Sequence, residues 1–259
     1  MTAFEEVSVE RRGALGIVTM NAPKRRNALS LTMRRELVDT FAELDADPAL
    51  RAVVLTGAEG NFCAGGDLKS MMDVGVINGR ERLAEVHQLV RQMVGMSVPL
   101  IGAVEGYAYG AGLSIAALCD IVVTAPDAKW CCAYAKVGLM PDLGATWILP
   151  KRIGVGRARM LAYTGRVIDG RQAADWGLAD QVAGEDGVMA EALALAEEIA
   201  RAAPLAVSAA KRAFGNPELS LSAALDAEAD AQALLFGSDD LKEGRQAFFE
   251  KRTPDFKGQ

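Results

Sequence analysis

Apolar and polar residues alternate near the start of the chain, over residues 7–19, on both sides of an Arg12-Gly13 turn. Alternation with a period of two is typical of strands that are buried on one face, so this segment predicts a β-hairpin. The period then changes to that of a helix over residues 30–44, with Ser30 as the candidate N-cap. An uninterrupted apolar run at residues 52–56 predicts a buried strand.

Strand and helix patterns continue to alternate along the chain. Apolar runs predict further buried strands at residues 100–104 and 121–124, and residues 179–182 also favour a strand. Helical periods favour helices at residues 81–96, 112–118, 146–149, 157–163 and 169–177. Strands that alternate with helices are typical of an α/β domain, which we place at residues 1–187.

The pattern loses its strand signals from residue 188 onward and becomes rich in alanine, leucine and glutamate. It predicts helices at residues 189–203, 204–214, 221–236 and 239–251. We therefore assign residues 188–259 to a helical C-terminal region. This helical region is too small to form a hydrophobic core by itself. We therefore expect its helices to pack on the α/β domain or on another subunit.

Composition narrows the class of protein. The chain of 259 residues has a formal net charge of −6 and only scattered basic pairs, so we expect no nucleic-acid partner. No apolar run reaches the roughly 18 residues that a membrane span needs, and the acidic, polar N-terminal segment differs from a signal peptide. These features predict a cytoplasmic protein that has no membrane partner.

The cysteines of the chain are Cys63, Cys119, Cys131 and Cys132. They form no C-x-x-C pair and have no histidine at ligand spacing, so we expect no metal site. Cysteines in the cytoplasm are ordinarily reduced, and we expect all four to be free thiols.

Two glycine-rich turns carry the clearest chemical signal. Residues 61–67 follow the strand at 52–56, and residues 105–112 follow the strand at 100–104 and open a helix. Glycine and alanine let the backbone approach a ligand closely, and the N–H groups at a helix start are free to donate hydrogen bonds. Two such groups that converge on one oxygen form an oxyanion hole, which would hold the carbonyl of a thioester.

Two alternatives stand beside this interpretation of the turns. The glycines could serve only tight turns and close packing. A dinucleotide site is the second alternative, but Gly106, Gly110 and Gly112 give G-x-x-x-G-x-G rather than G-x-G-x-x-G. No well-placed acidic residue follows about twenty positions later, which disfavours a nicotinamide-dependent oxidoreductase.

An ordered set of motifs spans nearly the whole chain and resembles the crotonase, or enoyl-CoA hydratase/isomerase, superfamily. The motifs are N-A-P-K-R-R-N-A-L at 21–29, F-C-A-G-G-D-L at 62–68, residues 99–112, C-D at 119–120, G-L-M-P-D-L-G at 138–144, L-A-Y-T-G at 161–165 and F-E-K-R at 249–252. The resemblance implies a spiral of ββα turns, followed by helices that build a trimer. Such trimers often pair into a hexamer.

The resemblance also implies where the substrate binds. The N–H groups of Gly66 and Ala111 would form the oxyanion hole and stabilise a thioester enolate. Coenzyme A would be the carrier of the acyl substrate and not a tightly bound cofactor. It would bind along Lys24, Arg25, Ala28, Ala64, Asp67 and Leu68. Lys251, from the same or a neighbouring subunit, would meet its phosphates. No metal or redox cofactor is implied.

The sequence departs from the superfamily's hydratases at two positions. Those enzymes activate water with two glutamates, and the corresponding residues here are Ser114 and Tyr134, neither of which can act as a carboxylate base. Ser114 could simply be a small helix residue. Tyr134 could line the acyl pocket, donate a hydrogen bond or only pack.

A carboxylate occurs nearby at Asp142, where some members of the superfamily carry a catalytic aspartate. One carboxylate can take a proton from one carbon and return it to another, which favours double-bond isomerisation with Asp142 as the acid and base. The alternatives are hydratase, lyase or hydrolase chemistry with a different base, and a CoA-thioester-binding protein without catalysis. Asp142 could also be only a helix N-cap.

Overall fold

The computed structural model of the chain describes residues 4–72, 75–215 and 219–259. Its strands in chain order are β1 (Val7–Arg12), β2 (Leu15–Met20), β3 (Ala52–Gly57), β4 (Leu100–Val104), β5 (Tyr107–Tyr109), β6 (Ile121–Thr124), β7 (Lys129–Cys131), β8 (Val167–Ile168) and β9 (Gln181–Val182). Its helices are α1 (Leu31–Asp45), α2 (Val76–Gly95), α3 (Ala111–Leu118), α4 (Ala145–Thr164), α5 (Gly170–Trp176), α6 (Val188–Ala200), α7 (Pro204–Phe214), α8 (Leu221–Phe236) and α9 (Asp239–Glu250). The described residues therefore form a mixed α/β fold.

The larger sheet has the strand order β1, β2, β3, β4, β6, β9. The hairpin strands β1 and β2 are antiparallel, and each later neighbour pairs in parallel. Parallel strands need crossover connections, which α1, α2 and α3 supply here. A smaller sheet, in the order β5, β7, β8, lies next to the glycine-rich turns.

Strand β3 shows why its sequence is continuously apolar. Val53 and Leu55 belong to the core that contains α1, whereas Ala52 and Val54 belong to a second core on the opposite face of the sheet. Helix α6 closes that second core. A parallel strand that is buried on both faces has no polar side, which explains the unbroken apolar run.

Several predicted elements are confirmed, including the hairpin and the first helix. Ser30 is the N-cap of α1, and its Oγ accepts a hydrogen bond from Met33 N–H at 3.0 Å. Asp169 caps α5 in the same way, with a hydrogen bond of 2.8 Å from Gln172 N–H. Both caps satisfy N–H groups that a helix start leaves free.

The structure corrects the prediction in three places. The helices predicted at 146–149 and 157–163 form the single element α4, which is kinked where Gly154 has φ 75° and ψ 155°. Helix α2 begins at Val76 rather than residue 81. The smaller sheet was not predicted, because strands of two or three residues are too short to show a periodic pattern.

The C-terminal helices divide into two groups by what they cover. Helix α6 packs on the sheet through Val188, Ala192 and Ala196. Helices α7 to α9 leave large apolar side chains exposed: Phe214, Leu221, Leu225, Leu234, Phe236, Phe248 and Phe249. We call these seven residues the C-terminal apolar face. Within the described ranges, no helix combines the length and apolar character needed to cross a membrane.

Candidate active site

A short ladder of backbone hydrogen bonds joins the two glycine-rich turns. Cys63 N–H donates to the Tyr107 carbonyl at 2.7 Å, and Tyr109 N–H donates to the Cys63 carbonyl at 3.0 Å. The turns follow β3 and β4, which are parallel neighbours, so both lie at the carboxyl edge of the sheet. This is the edge where open α/β sheets bind their ligands.

Two glycines of the second turn are required by its geometry. Gly110 has φ 49° and ψ −113°, a conformation that side chains disfavour, and it is the N-cap of α3. A Cβ on Gly112 would lie 2.2 Å from the Cys63 carbonyl oxygen. The glycines therefore do serve a sharp turn and close packing, and these same features bring α3 against the first turn.

The N–H groups of Gly66 and Ala111 are free in the described part of the chain, where neither donates a hydrogen bond. Ala111 is the first residue of α3, so its N–H lies at the positive end of the helix dipole. Gly66 and Ala111 line the same cavity. Two unpartnered backbone donors are thus available to an oxygen atom bound there.

The cavity brings together residues from both turns, from α1 and from the segment before α4. Its lining consists of Arg34, Ala64, Gly65, Gly66, Leu68, Met71, Gly110, Ala111, Ala133, Tyr134, Val137, Leu139 and Asp142. Six residues singled out from the sequence are among them: Ala64, Gly66, Leu68, Ala111, Tyr134 and Asp142. Ser114 lies behind the lining and is fully buried.

Ser114 and Tyr134 form a buried hydroxyl pair. The Ser114 Oγ lies 2.8 Å from the Tyr134 hydroxyl and 3.2 Å from the Gly110 carbonyl oxygen, to which it can donate. Burial and the negative charge of Asp142 hold the pKa of Tyr134 well above its ordinary value, although the hydrogen bond with Ser114 opposes this shift. Tyr134 is therefore a neutral phenol over the working range of most enzymes, and it can donate a proton in a hydrogen bond.

Asp142 supplies a carboxylate to the cavity. Its Oδ1 is buried and has no hydrogen-bond partner among the described residues. The N-cap of α4 is Gly144, in a left-handed conformation and without a side-chain cap. The alternative in which Asp142 serves only as a helix cap is therefore wrong. A buried carboxylate oxygen without a partner is unfavourable and is available to a proton from a ligand.

The loop that precedes α1 runs along the first turn. Leu29 N–H donates to the Gly65 carbonyl at 2.8 Å, and Ala64 N–H donates to the Arg26 carbonyl at 3.0 Å. These contacts place the predicted coenzyme A residues of this loop, Lys24, Arg25 and Ala28, beside Ala64, Asp67 and Leu68. Arg25 Nη1 lies 3.9 Å from Asp67 Oδ2.

Asn27 fixes that loop, a role that the sequence did not reveal. It is fully buried with φ 56°, and its amide accepts from Ala22 N–H at 2.9 Å. The same amide donates to the Ala58 and Asn61 carbonyl oxygens at 2.9 Å and 2.5 Å. Its place in the motif at 21–29 is the signal that could have identified it.

Lys251 is the predicted site residue that a single chain leaves apart from the others. It is the exposed C-cap of α9, with φ 55°, and it does not line the cavity. Its predicted contact with coenzyme A phosphates stays a prediction.

Arg34 is a cavity residue that sequence analysis missed. It lies on the buried face of α1 and is only 4% exposed. Burial and the nearby Arg82 cation lower the pKa of its guanidinium, whereas Asp142, Glu85 and Tyr134 raise it. The signal was present, since position 34 precedes Leu37 by three residues and Phe41 by seven, on the apolar side of the helix.

The Cys63 thiol in the first turn is not a candidate nucleophile. Burial raises its pKa to about 11, against the lowering effects of backbone hydrogen bonds and the Arg34 charge. Burial likewise raises the pKa of Cys119 and Cys132 to about 12. Because the thiolate is the reactive form, these side chains act as packing residues. All four cysteines are free.

Comparison with known proteins identifies a family that this chain matches. Residues 10–259 match the family model described as enoyl-CoA hydratase/isomerase. Over 250 residues the chain is 36% identical to the 1,2-epoxyphenylacetyl-CoA isomerase of Escherichia coli, covering 93% of the chain and 94% of that relative. Over 256 residues it is 35% identical to a probable enoyl-CoA hydratase of Rhizobium meliloti, covering 98% and 99%.

Solved structures agree with the sequence comparison. An enoyl-CoA hydratase from Bacillus anthracis superimposes with a TM-score of 0.94 at 33% identity, covering 98% of this chain and all of that one. An enoyl-CoA hydratase from Mycobacterium tuberculosis gives a TM-score of 0.90 at 35% identity, covering 98% and 99%.

Proposed function

The chain belongs to the enoyl-CoA hydratase/isomerase family, the crotonase superfamily, and on that premise we propose that it moves a double bond within an enoyl-CoA thioester. The observation that carries the proposal is the cavity itself. Asp142 lines it together with Gly66 and Ala111, whose N–H groups are free. The two positions that hold glutamates in hydratases of the family carry the paired hydroxyls of Ser114 and Tyr134 instead.

In the proposed reaction, the thioester oxygen accepts hydrogen bonds from the N–H groups of Gly66 and Ala111. Asp142 removes a proton from C2 of a 3-enoyl thioester, and the electron pair of that C–H bond moves into a dienolate. The negative charge then rests on the oxygen that the two N–H groups stabilise. The Asp142 carboxyl can exchange this proton with solvent and then donates a proton to C4, which gives the 2-enoyl thioester and regenerates the carboxylate.

Tyr134 and Ser114 support this chemistry without acting as bases. The raised pKa of Tyr134 keeps its hydroxyl protonated beside the Asp142 carboxylate. A neutral hydroxyl there places no second negative charge beside the carboxylate. We assign Tyr134 to the orientation of Asp142, and Ser114 to the orientation of Tyr134.

Coenzyme A is proposed as the carrier of the substrate. The loop at 24–28 and the turn at 64–68 form a continuous strip beside the cavity, held together by the Leu29 and Ala64 backbone bonds. Lys24 and Arg25 are exposed there and can meet phosphate groups. Lys251 would reach the same carrier from a neighbouring subunit.

We also propose that the protein assembles as a trimer or as a hexamer made from two trimers. Its C-terminal apolar face leaves seven large side chains exposed, of which Phe214 is 85% exposed and Leu234 is 79% exposed. Large apolar side chains exposed in this number are typical of a protein–protein contact.

The experiment that tests the reaction is incubation of the purified protein with 3-hexenoyl-CoA and 2-hexenoyl-CoA in H₂O and in D₂O, followed by mass spectrometry. Isomerisation in D₂O changes the double-bond position and incorporates deuterium without adding oxygen. Addition of one water to 2-hexenoyl-CoA would instead establish hydration, the activity for which several relatives are named. Absence of turnover and of thioester binding would remove the enzyme interpretation.

A further inference from the structure

Arg34 has an environment that the proposed reaction does not use. Its Nε and Nη1 atoms are buried and have no hydrogen-bond partner in the described part of the chain. The side chain lines the cavity on the same wall as the first glycine-rich turn. A Cβ built on Gly66 would lie 3.9 Å from Arg34 Nη2, so the guanidinium stands within a few ångströms of the proposed oxyanion hole.

The carboxylates near Arg34 do not pair with its guanidinium in the described chain. Asp142 lies close enough to act on the guanidinium electrostatically, but the two residues form no ion pair within 4.0 Å in the described chain. Glu85 is engaged by Arg35, with Oε1 2.8 Å from Nη2. A buried guanidinium without a paired anion is strongly unfavourable, because it has lost water and gained no acceptor.

The cavity thus holds unpartnered groups of opposite kinds. Arg34 has N–H donors that lack an acceptor, whereas Asp142 Oδ1 is an acceptor that lacks a donor among the described residues. An arginine fork matches a carboxylate with two parallel hydrogen bonds, a geometry that a hydrocarbon chain cannot use. A ligand that satisfies both groups therefore carries an acidic C–H and a carboxylate in the same acyl group.

We propose that Arg34 binds a carboxylate on the acyl group, so that the substrate is the CoA thioester of a short dicarboxylic acid. This inference rests on the proposed function. The nearness of Arg34 to Gly66 places the carboxylate a few carbons from the thioester carbonyl. With Arg34 between them, the substrate carboxylate and Asp142 share a cation, which offsets their mutual repulsion.

The test compares glutaryl-CoA with pentanoyl-CoA, two saturated five-carbon thioesters that differ in a terminal carboxylate or methyl group. Dissociation constants are measured by isothermal titration calorimetry for the wild-type protein and for Arg34→Met, Arg34→Lys and Arg35→Met. Arg35→Met, made together with Glu85→Gln so that no unpaired carboxylate is released toward Arg34, is the matched control, since it removes a guanidinium from the next position of α1, where Arg35 is exposed. Thermal unfolding of each variant verifies that it is folded.

The expected result is that wild type binds glutaryl-CoA about ten- to a hundredfold more tightly than pentanoyl-CoA, the range typical of a charge-assisted hydrogen bond. Arg34→Met abolishes the preference, Arg34→Lys keeps part of it, and the Arg35→Met control keeps all of it. Equal binding of the two thioesters by wild type overturns the inference and leaves the proposed function standing. If Arg34→Met weakens the binding of both thioesters by the same factor, the inference is also overturned, because Arg34 would then only maintain the cavity. If wild type binds neither thioester, the proposed function itself fails.

Discussion

The hydroxyl groups of Ser114 and Tyr134 lie 2.8 Å apart in the interior, twenty positions apart in sequence. Both groups are buried, Ser114 fully and Tyr134 to 6% exposure. Neither group is a carboxylate, whereas Asp142 brings a carboxylate to the cavity that Tyr134 also lines.

Replacement of Asp142 by asparagine keeps the shape of the side chain and removes its basicity. We expect kcat for 3-hexenoyl-CoA to fall by a factor on the order of 10² to 10⁴, the usual contribution of a positioned acid or base, with KM little changed. Steady-state kinetics measure both constants. Asp127→Asn, at an exposed aspartate outside the cavity, is the control and should retain full activity. Full activity of Asp142→Asn would remove Asp142 from the mechanism.

The oxyanion hole can be tested by removal of a single N–H group. Ala111 is the first residue of α3, a position where proline fits a helix, so Ala111→Pro deletes the donor and keeps the helix. We expect a loss of about 3 kcal/mol of transition-state stabilisation, as for one oxyanion donor elsewhere. Val76→Pro places the same change at the first residue of α2, which is 93% exposed, and should leave kcat intact. Equal kcat values for wild type and Ala111→Pro would exclude this N–H from catalysis.

The sequence predicts those elements of the fold whose apolar and capping residues follow a regular local pattern. The unbroken apolar run of β3 and the Ser30 cap of α1 follow from burial on two faces and from the free N–H groups of a helix start. The β5, β7 and β8 strands escape prediction, because their few residues are fixed by tertiary neighbours rather than by a local pattern.

The candidate site likewise contains some residues that the sequence predicts and others that it does not. The glycines around Gly66 and Ala111 are visible in the sequence, because a turn that approaches another backbone needs small residues. Arg34 and Asn27 are marked in the sequence only by their positions, one on the apolar side of α1 and the other within the motif at 21–29. Their roles depend on which distant backbone or cavity the α1 face and the preceding loop meet, and a single sequence does not contain that information.

The Cys63 thiol predicts a pH dependence of stability. Its pKa is raised to about 11 in the folded chain from an ordinary value of 9.0, so the folded state keeps its proton longer than the unfolded state. The resulting stabilisation is fully present below pH 9 and is lost as the pH rises toward 11. At pH 10 the loss from this group is about 1.4 kcal/mol, from the linkage of ionisation to unfolding.

Cys63→Ala isolates that effect. The variant leaves a small cavity and is less stable than wild type at pH 8, but the difference should shrink by pH 10 because alanine does not ionise. Urea unfolding at the two pH values gives the free energies. Cys63→Ser is a second comparison that also lacks the thiol. A difference between wild type and Cys63→Ala that is the same at both pH values would show that the folded thiol ionises normally.

The C-terminal apolar face predicts the assembly state. Phe248 and Phe249 are each 78% exposed in the single chain, and burial of such side chains stabilises an interface by about 1.5–3 kcal/mol each. We expect wild type to sediment as a trimer or hexamer, and Phe248→Asp with Phe249→Asp to dissociate it. Val76→Asp, which changes an apolar residue that is 93% exposed at the start of α2, should leave the assembly unchanged. A monomeric wild-type protein would refute the proposed assembly.

Asn27 ties the loop beside the proposed carrier to the turn that follows β3, and its removal separates substrate binding from chemistry. Asn27→Ala leaves the Ala22 N–H and the Asn61 carbonyl oxygen without their Asn27 partner, removes one of two hydrogen bonds to the Ala58 carbonyl oxygen, and puts alanine at a positive φ. The expected loss in the free energy of unfolding is about 2–4 kcal/mol, from unsatisfied buried groups together with backbone strain. Because Asp142 and the two turns stay in place, KM for the thioester should rise far more than kcat falls. Asn61→Ala removes an amide that, within the described ranges, donates to the Glu59 carbonyl alone, and it should change neither constant. A fall in kcat at constant KM would instead show that Asn27 supports the reacting atoms and that the loop plays no part in holding the carrier.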